Sequence, residues 1–426
     1  MRSTFMVICF FTAIFTILHI SDFAFSLDEY IAQHSKEVDY SILEERDLSD
    51  ESKFILLSLH SQCWKGIDWY HRVGILLPKD LKVKDAAVLY VTGGFEDPEK
   101  DSWIANAFGA PFIILGDEPN QPLFANLRED RLIAYTFQKF FETGEKDWPL
   151  LLPMVDAAIA AMDVVQDVLK SRGLNIKRFL VSGASKRGWT TWLTAAVDKR
   201  VFAIAPIVFD NLNFEEQLKH QLENWGNYSE KISPYTELEF QNKIHSELGK
   251  ELLRLVDPYS YLERLNIPKL IIEGTNDRYW PVVASWLYFF DLKGENYLLF
   301  IPNEGHNIKN IPIVVSSISE FFKSLVLKND FVEYSWDFKN NGEKLIVYSQ
   351  DAIDCNLWIA FSNDLDFRNS IWTRYNPSRR SNKHWEFCIP NTDKNICYFA
   401  ELLFKGLDRE FVLTTVPKIV KKANSF

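Results

Sequence analysis

The sequence predicts an α/β fold: a mostly parallel sheet covered by helices on both faces, an inserted cap segment and a C-terminal β-sandwich. Three observations predict it. From about residue 53, short apolar runs alternate with stretches of helical spacing. The run Phe179-Leu180-Val181 leads directly into Ser182-Gly183-Ala184-Ser185-Lys186-Arg187-Gly188-Trp189, a sharp turn that opens a helix. Beyond Leu327 the helical spacing stops, and short Val-, Ile-, Tyr-, Trp- and Phe-rich runs succeed one another across Asn, Asp and Gly turns. Strand–helix alternation belongs to parallel sheets buried on both faces. Regularly spaced short strands belong to sandwiches.

Phe54-Ile55-Leu56-Leu57 and Val73-Gly74-Ile75-Leu76-Leu77 read as the first strands, the second stopped by Pro78. Ala86 to Val91 reads as a buried strand ending at Thr92-Gly93-Gly94, and Phe112 to Leu115 as another ending at Gly116. Residues 153–170 place Met154, Ala157, Ala161, Met162 and Val165 on one side of a helix. After the Ser185 turn come a helix over Trp189 to Val197 and strands over Val201 to Val208, Lys269 to Ile272 and Tyr297 to Ile301. A helix near 312–326 closes the series. Residues 209–268 interrupt the alternation with polar and aromatic, partly helical sequence. Such an insertion fits a cap over the strand ends, or a surface excursion that only covers apolar area. Tyr334-Ser335-Trp336, Lys344 to Tyr348, Leu357 to Ala360, Cys397 to Leu403 and Phe411 to Thr415 are the expected sandwich strands. The chain so divides into a leader, 1–26, an α/β unit, 27–328, and a sandwich, 329–426.

The turn at Ser185 is where an α/β hydrolase holds its nucleophile, on a strained strand-to-helix elbow. The usual spacing is G-x-S-x-G; here Gly183 is in place, Arg187 stands at the second glycine position and Gly188 follows it. A serine in such a turn can equally be an ordinary small residue, so order and context decide. Hydrolases of this type supply serine, acid and histidine in that order from loops after core strands. After Leu270-Ile271-Ile272 comes Glu273-Gly274-Thr275-Asn276-Asp277, and after Leu298 to Ile301 comes Asn303-Glu304-Gly305-His306. Ser185 is then the nucleophile, His306 the base and Asp277 its orienting acid. Asp210, after Ile207-Val208-Phe209, is the alternative acid; the shorter, proline-terminated loop favours Asp277. The oxyanion donors expected are the N–H of Lys186 and the backbone at Gly93 and Gly94. The basic pair Lys186 and Arg187 reads as solvated, and Trp189 and Trp192 as packing of the nucleophile helix.

The 426 residues carry a net charge of −11, 47% apolar residues and 15% aromatics, enough for a large core. An acidic chain with no basic stripe excludes nucleic acid as partner. No His/Asp/Glu cluster has metal-ligand spacing, so neither metal nor cofactor is expected. Arg2, the apolar run from Phe5 to Ile20 and Ala24-Phe25-Ser26 read as a secretory signal cut before Leu27, with an uncleaved membrane anchor as the alternative, and no later run is long enough to span a membrane. Secretion leaves Cys63, Cys355, Cys388 and Cys397 in an oxidising compartment, where a bridge from Cys388 to Cys397 across a turn is one option. Asn227-Tyr228-Ser229 is the glycosylation sequon.

Several segments together resemble the PhoPQ-activated pathogenicity-related family. They are Ser61-Gln62-Cys63-Trp64-Lys65-Gly66, Leu89 to Gly94, Pro119-Asn120-Gln121-Pro122, the long run from Val181 to Asp198, Val256 to Tyr261, Pro268 to Ile272, Leu357 to Ala360 and Asp366-Phe367-Arg368. The resemblance spans roughly 55–418 and departs at Cys63, where a small polar residue is expected. It implies an α/β hydrolase-like core with an appended sandwich, and makes Arg187-Gly188 the family's own form of the elbow. The family also holds a secreted proliferation repressor. Two functions follow as expectations: a secreted serine hydrolase acting on a small ester or peptide, or a secreted signalling protein with a cell-surface protein partner on the same scaffold.

Overall fold

The computed structural model describes residues 26–34, 38–95, 97–328, 330–381 and 383–422. The expected leader lies outside the described residues except for Ser26. That serine caps the helix Leu27–His34: Glu29 N–H donates to Ser26 Oγ and Ser26 N–H to Glu29 Oε2, a reciprocal capping box.

The central sheet opens with three antiparallel strands, β1 (Asp39–Asp47), β2 (Lys53–Trp64) and β3 (Ile67–Leu77). Six parallel strands follow: β4 (Ala86–Val91), β5 (Phe112–Leu115), β6 (Arg178–Ala184), β7 (Val201–Ile207), β8 (Lys269–Gly274) and β9 (Asn296–Ile301). Their spatial order is β1-β2-β3-β5-β4-β6-β7-β8-β9. The expected core strands are all present. β1 was not expected: its sequence is charged and mostly exposed, so it lacks the alternation that marks a half-buried strand. Those charges also protect an open sheet edge from further pairing.

Each parallel strand is buried on both faces because its apolar residues alternate between two cores. Leu89, Val181, Ile271 and Leu298 face one, with the helices Leu151–Lys170 and Lys186–Val197. Val88, Leu180, Leu270 and Leu299 face the other, with the helices Pro98–Phe108 and Ile311–Leu327.

The described residues of the C-terminal part form nine strands: β10 (Tyr334–Lys339), β11 (Lys344–Ser349), β12 (Ala352–Ser362), β13 (Thr373–Tyr375), β14 (Arg379–Ser381), β15 (His384–Cys388), β16 (Asn395–Lys405), β17 (Glu410–Thr414) and β18 (Lys418–Val420). One antiparallel sheet has the order β10-β11-β15-β14. The other, β17-β16-β12-β13 with β18 on β16, extends the central sheet, because Thr414 of β17 pairs with Leu298 of β9. The two sheets share an apolar layer of Val347, Trp385, Phe387, Leu357, Ile359 and Leu402. Cys388 and Cys397 sit on β15 and β16, strands of different sheets rather than arms of one hairpin. Cys355, Cys388 and Cys397 form no disulfide among the described residues. No helix among the described residues is long and apolar enough to cross a membrane.

Candidate active site

β6 ends at Ala184 and the helix Lys186–Val197 begins one residue after Ser185, which is forced to φ 60° and ψ −124°. A positive φ is strained for a residue with a Cβ and is kept only where the surroundings over-determine it. Here they do. Ser185 N–H donates to the Ile207 carbonyl of β7 (2.8 Å), and Trp189 N–H to the Ser185 carbonyl (3.0 Å). A Cβ on Gly183 would lie 2.7 Å from the Arg187 carbonyl, and one on Gly188 3.0 Å from Phe209 Cβ. The glycine at 188 thus does the packing that the usual second glycine does, one residue later.

The acid and histidine loops leave neighbouring strands, β8 and β9, and are sewn together. Asn276 N–H donates to the Glu304 carbonyl (2.8 Å) and Asn303 N–H to Thr275 Oγ1 (2.9 Å). Gly274 permits this approach, since a Cβ there would meet the carbonyls of Glu304 and Gly305 at 2.6 Å. His306 stands between the other two residues. Its Nε2 is 2.7 Å from Ser185 Oγ and its Nδ1 is 2.7 Å from Asp277 Oδ2. Asp277 Oδ1 accepts the Tyr279 N–H (2.8 Å), which fixes the carboxylate's orientation. The Tyr279 ring lies on the imidazole, centroids 4.1 Å apart.

Asp210 takes no part in this relay. Its Oδ1 accepts the Tyr288 hydroxyl (2.6 Å), and the adjacent Glu273 accepts the Phe209 N–H (3.0 Å). Burial pushes the Asp210 carboxyl up to about 7, the Tyr288 hydroxyl opposes this and the Asp277 charge adds to it. Burial, with the charges of Asp210 and Asp277, also drives Glu273 well above the carboxylate range.

Lys186 and Arg187 are not solvated; they are 7% and 8% exposed and paired. Arg187 donates two parallel bonds to Glu129 (both 2.9 Å) and one from Nε to the Glu118 carbonyl (2.6 Å). Lys186 Nζ lies 2.8 Å from Glu129 and 3.6 Å from Asp130. Asp130 also accepts the hydroxyls of Tyr235 (3.2 Å) and Tyr279 (2.9 Å). Burial raises the Glu129 carboxyl, but the Arg187 hydrogen bonds and the two cationic charges outweigh it and hold it far below its usual range. Gln121, inside the Pro119–Pro122 segment, bonds to both the side chain and the N–H of Glu129. Sequence reasoning missed Glu129 and Asp130; their one trace is the charged run Arg128-Glu129-Asp130-Arg131 at a helix start.

Two cavities meet at Ser185 and His306. A polar one of about 360 Å³ reaches Thr92, Gly93, Glu129 and Asn307. An apolar one of about 60 Å³ reaches Trp189, Phe214, Leu218 and Phe240. Trp189 therefore borders the site, whereas Trp192 is wholly in the core. Of the expected oxyanion positions, Lys186 is the first residue of the helix, where N–H groups have no intrahelical acceptor. Gly93 lines the polar cavity and is pressed onto Arg187, while Gly94 lines a separate apolar cavity beside Ile104 and Phe108. Among the described residues no His, Cys, Asp and Glu group could hold a metal ion.

Comparison with known proteins bears on this geometry. The model of the PhoPQ-activated pathogenicity-related protein family matches residues 27–368. The chain belongs to that family. It is 29% identical over 381 residues to autocrine proliferation repressor protein A of Dictyostelium discoideum, covering 83% of this chain and 74% of that one. Among solved structures it is similar to an acetyl xylan esterase from a Paenibacillus species, with TM-score 0.50 and 12% identity over 70% of this chain and 92% of that one. It is also similar to acetyl xylan esterase 1 from a Thermoanaerobacterium species, with TM-score 0.48 and 14% identity over 70% and 93% of the two chains. This family member thus carries an α/β hydrolase fold, with an added antiparallel sheet at the C-terminal end.

Proposed function

We propose that this family member is a secreted serine hydrolase that transfers the acyl group of an ester or amide to Ser185 and then to water. One observation carries the reading: His306 bridges Ser185 Oγ and Asp277 Oδ2 at 2.7 Å on each side, on a serine held at positive φ. In this reading Ser185 Oγ attacks the carbonyl carbon as its proton passes to His306 Nε2, and the Nδ1–H···Asp277 bond stabilises the imidazolium. The carbonyl electrons move onto oxygen. The Lys186 N–H and the backbone at Gly93 are the donors for that oxyanion, each worth about 3 kcal/mol. Collapse expels the alcohol or amine with the Nε2 proton, and a water molecule repeats the cycle on the acyl-enzyme, restoring Ser185 and releasing the acid.

The test is covalent labelling by a fluorophosphonate. The expected result is one adduct on Ser185, absent from Ser185→Ala and from His306→Ala. Equal labelling of Ser185→Ala, or none of the wild type, refutes the nucleophile assignment. A second reading is favoured by the likeness to a protein named as a proliferation repressor: a secreted signal acting through a cell-surface protein. It predicts that Ser185→Ala keeps full growth-inhibiting activity on responsive cells.

A further inference from the structure

The helices Pro98–Phe108 and Ile311–Leu327 share one face of the central sheet. Phe108, at the end of the first, meets Phe322 edge-on, centroids 5.7 Å apart. Nearer the start of each helix, a cleft of about 390 Å³ lies between them. Asp101 and Ile104 line it on one side and Val314 and Ile318 on the other, while Val88 of β4 and Ile114 of β5 form its floor. Val88, Phe108 and Ile114 are buried, whereas Gly94 and Ile311 are exposed, so the cleft opens at the carboxyl edge of the sheet. Tyr90 and Thr92 line both this cleft and the polar cavity at Ser185.

Protein interiors are packed with few voids larger than a water molecule, so a space of this size against the core calls for an occupant. Its volume is over twice the roughly 150 Å³ that admits benzene and falls in the ordinary range of small-molecule sites, about 300–1,000 Å³. Because one end is open, that volume shows that a ligand can enter and sets no limit on the ligand's length.

The lining decides the chemistry. Asp101 is the one charged side chain in it, and Asp101 is already engaged within the protein. An ionic group entering the cleft would therefore lose hydration without a free counter-charge. The Ser182 hydroxyl, on the floor, donates to the Ala205 carbonyl (2.6 Å). The aromatic faces are turned to one another, Phe112 stacking on Phe108 at 5.6 Å and on Tyr90 at 6.3 Å. What remains for a ligand is the branched aliphatic surface of Val88, Ile104, Ile114, Val314 and Ile318, with Thr92 and Gly94 at the open end.

We infer that this cleft is a binding site for the aliphatic chain of an uncharged ligand, its polar end lying toward Thr92 and Gly94. The site is separate from the apolar cavity beside Ser185, and the inference does not rest on the hydrolase reading.

The experiment has two parts. Isothermal titration calorimetry compares octanol, octanoate and octylammonium on the wild type and on Ile104→Trp. Ile104 is half-buried, and an indole at that position extends across the cleft. Octanol is expected to bind saturably, and the two ions more weakly by about tenfold or more. Ile104→Trp should weaken octanol by about tenfold or more, through the apolar contact it takes from the ligand. Crystals soaked with ω-bromo-octanol then locate the chain by the anomalous signal of bromine, which is expected between the two helices. Absence of saturable octanol binding, either ion binding as tightly as the alcohol, unchanged affinity in Ile104→Trp, or bromine at Ser185 or elsewhere outside the cleft overturns the proposal. Should Ile104→Trp fail to fold, the order of the three ligands and the bromine position decide it on the wild type alone.

Discussion

Replacing Arg187 by lysine should loosen Gly93 and the nucleophile helix together. The guanidinium makes three bonds, two to the Glu129 carboxylate and one to the Glu118 carbonyl. A lysine can retain one of them, because an ammonium lacks the planar fork. Each bond to a charged partner contributes about 1.5–3 kcal/mol, and Glu129 keeps Lys186, so the loss expected for Arg187→Lys is about 3 kcal/mol. The same guanidinium closes the space over Gly93, where a Cβ would run into Arg187 Nη2. Gly93 is not in the left-handed region, so the barrier to alanine there is space alone. Gly93→Ala should therefore cost about 3 kcal/mol in the wild type, the upper end for overpacking against an immobile group. In the Arg187→Lys background the obstructing group is gone, so the double variant should be less destabilised than the sum by about 1–2 kcal/mol. Urea unfolding of the four proteins measures this, and the fluorophosphonate labelling rate should follow the same order. Additivity within about 0.5 kcal/mol refutes the claim that Arg187 holds the backbone at Gly93.

Two other outcomes follow from the groups around the relay. Tyr279→Phe removes the hydroxyl that Asp130 accepts while keeping the ring on His306, so stability should fall by about 1 kcal/mol with labelling nearly intact. Tyr279→Leu, which also removes the ring, should slow labelling of Ser185 by about tenfold. Asp210 titrates in the folded protein near 7, above its unfolded value of about 3.9, so its contribution to stability is full below about pH 4 and is lost as pH rises through 7. Asp210→Asn should therefore gain on the wild type in melting temperature between about pH 5 and about pH 8, and a constant difference between the two melting curves would contradict the buried, protonated carboxyl.

The parallel strands were legible in the sequence because burial on both faces makes them continuous apolar runs between turn residues. The juxtaposition of Ser185, His306 and Asp277 was legible because the three residues follow three such strands, each at the same sheet edge. What escaped was whatever depends on partners far apart in the chain. Lys186 and Arg187 look like a solvated pair until Glu129, 58 residues from Arg187, is brought beside them. No periodic pattern announces such a pairing. The role of Trp189 in the pocket escaped likewise, because its neighbours Phe209 and Phe214 lie beyond the next strand. β1 was hidden by its own exposure, and the sheet assignments of Cys388 and Cys397 by a long connection that resembles a hairpin turn.

The C-terminal part bears on the site through one segment, residues 368–372, between β12 and β13. The Asn276 side chain donates to the carbonyls of Arg368 (3.1 Å) and Ser370 (2.8 Å), immediately before the acid Asp277. The Asn303 side chain donates to the Trp372 carbonyl (3.0 Å) and accepts the Trp372 N–H (2.8 Å), three residues before His306. Arg368 lies over the Trp225 ring, 4.0 Å from its centroid, and pairs with Glu230, both in the inserted segment. One loop thus holds the acid loop, the histidine loop and the segment that walls the apolar cavity. Each partly buried bond contributes about 1 kcal/mol, small against the whole molecule but large for the orientation of a loop. The pairing of Thr414 with Leu298 fixes where this loop sits, because it makes β12 and β16 part of the same sheet as β8 and β9. The loops that carry Asp277 and His306 are thus held from this side by side-chain bonds to one backbone segment.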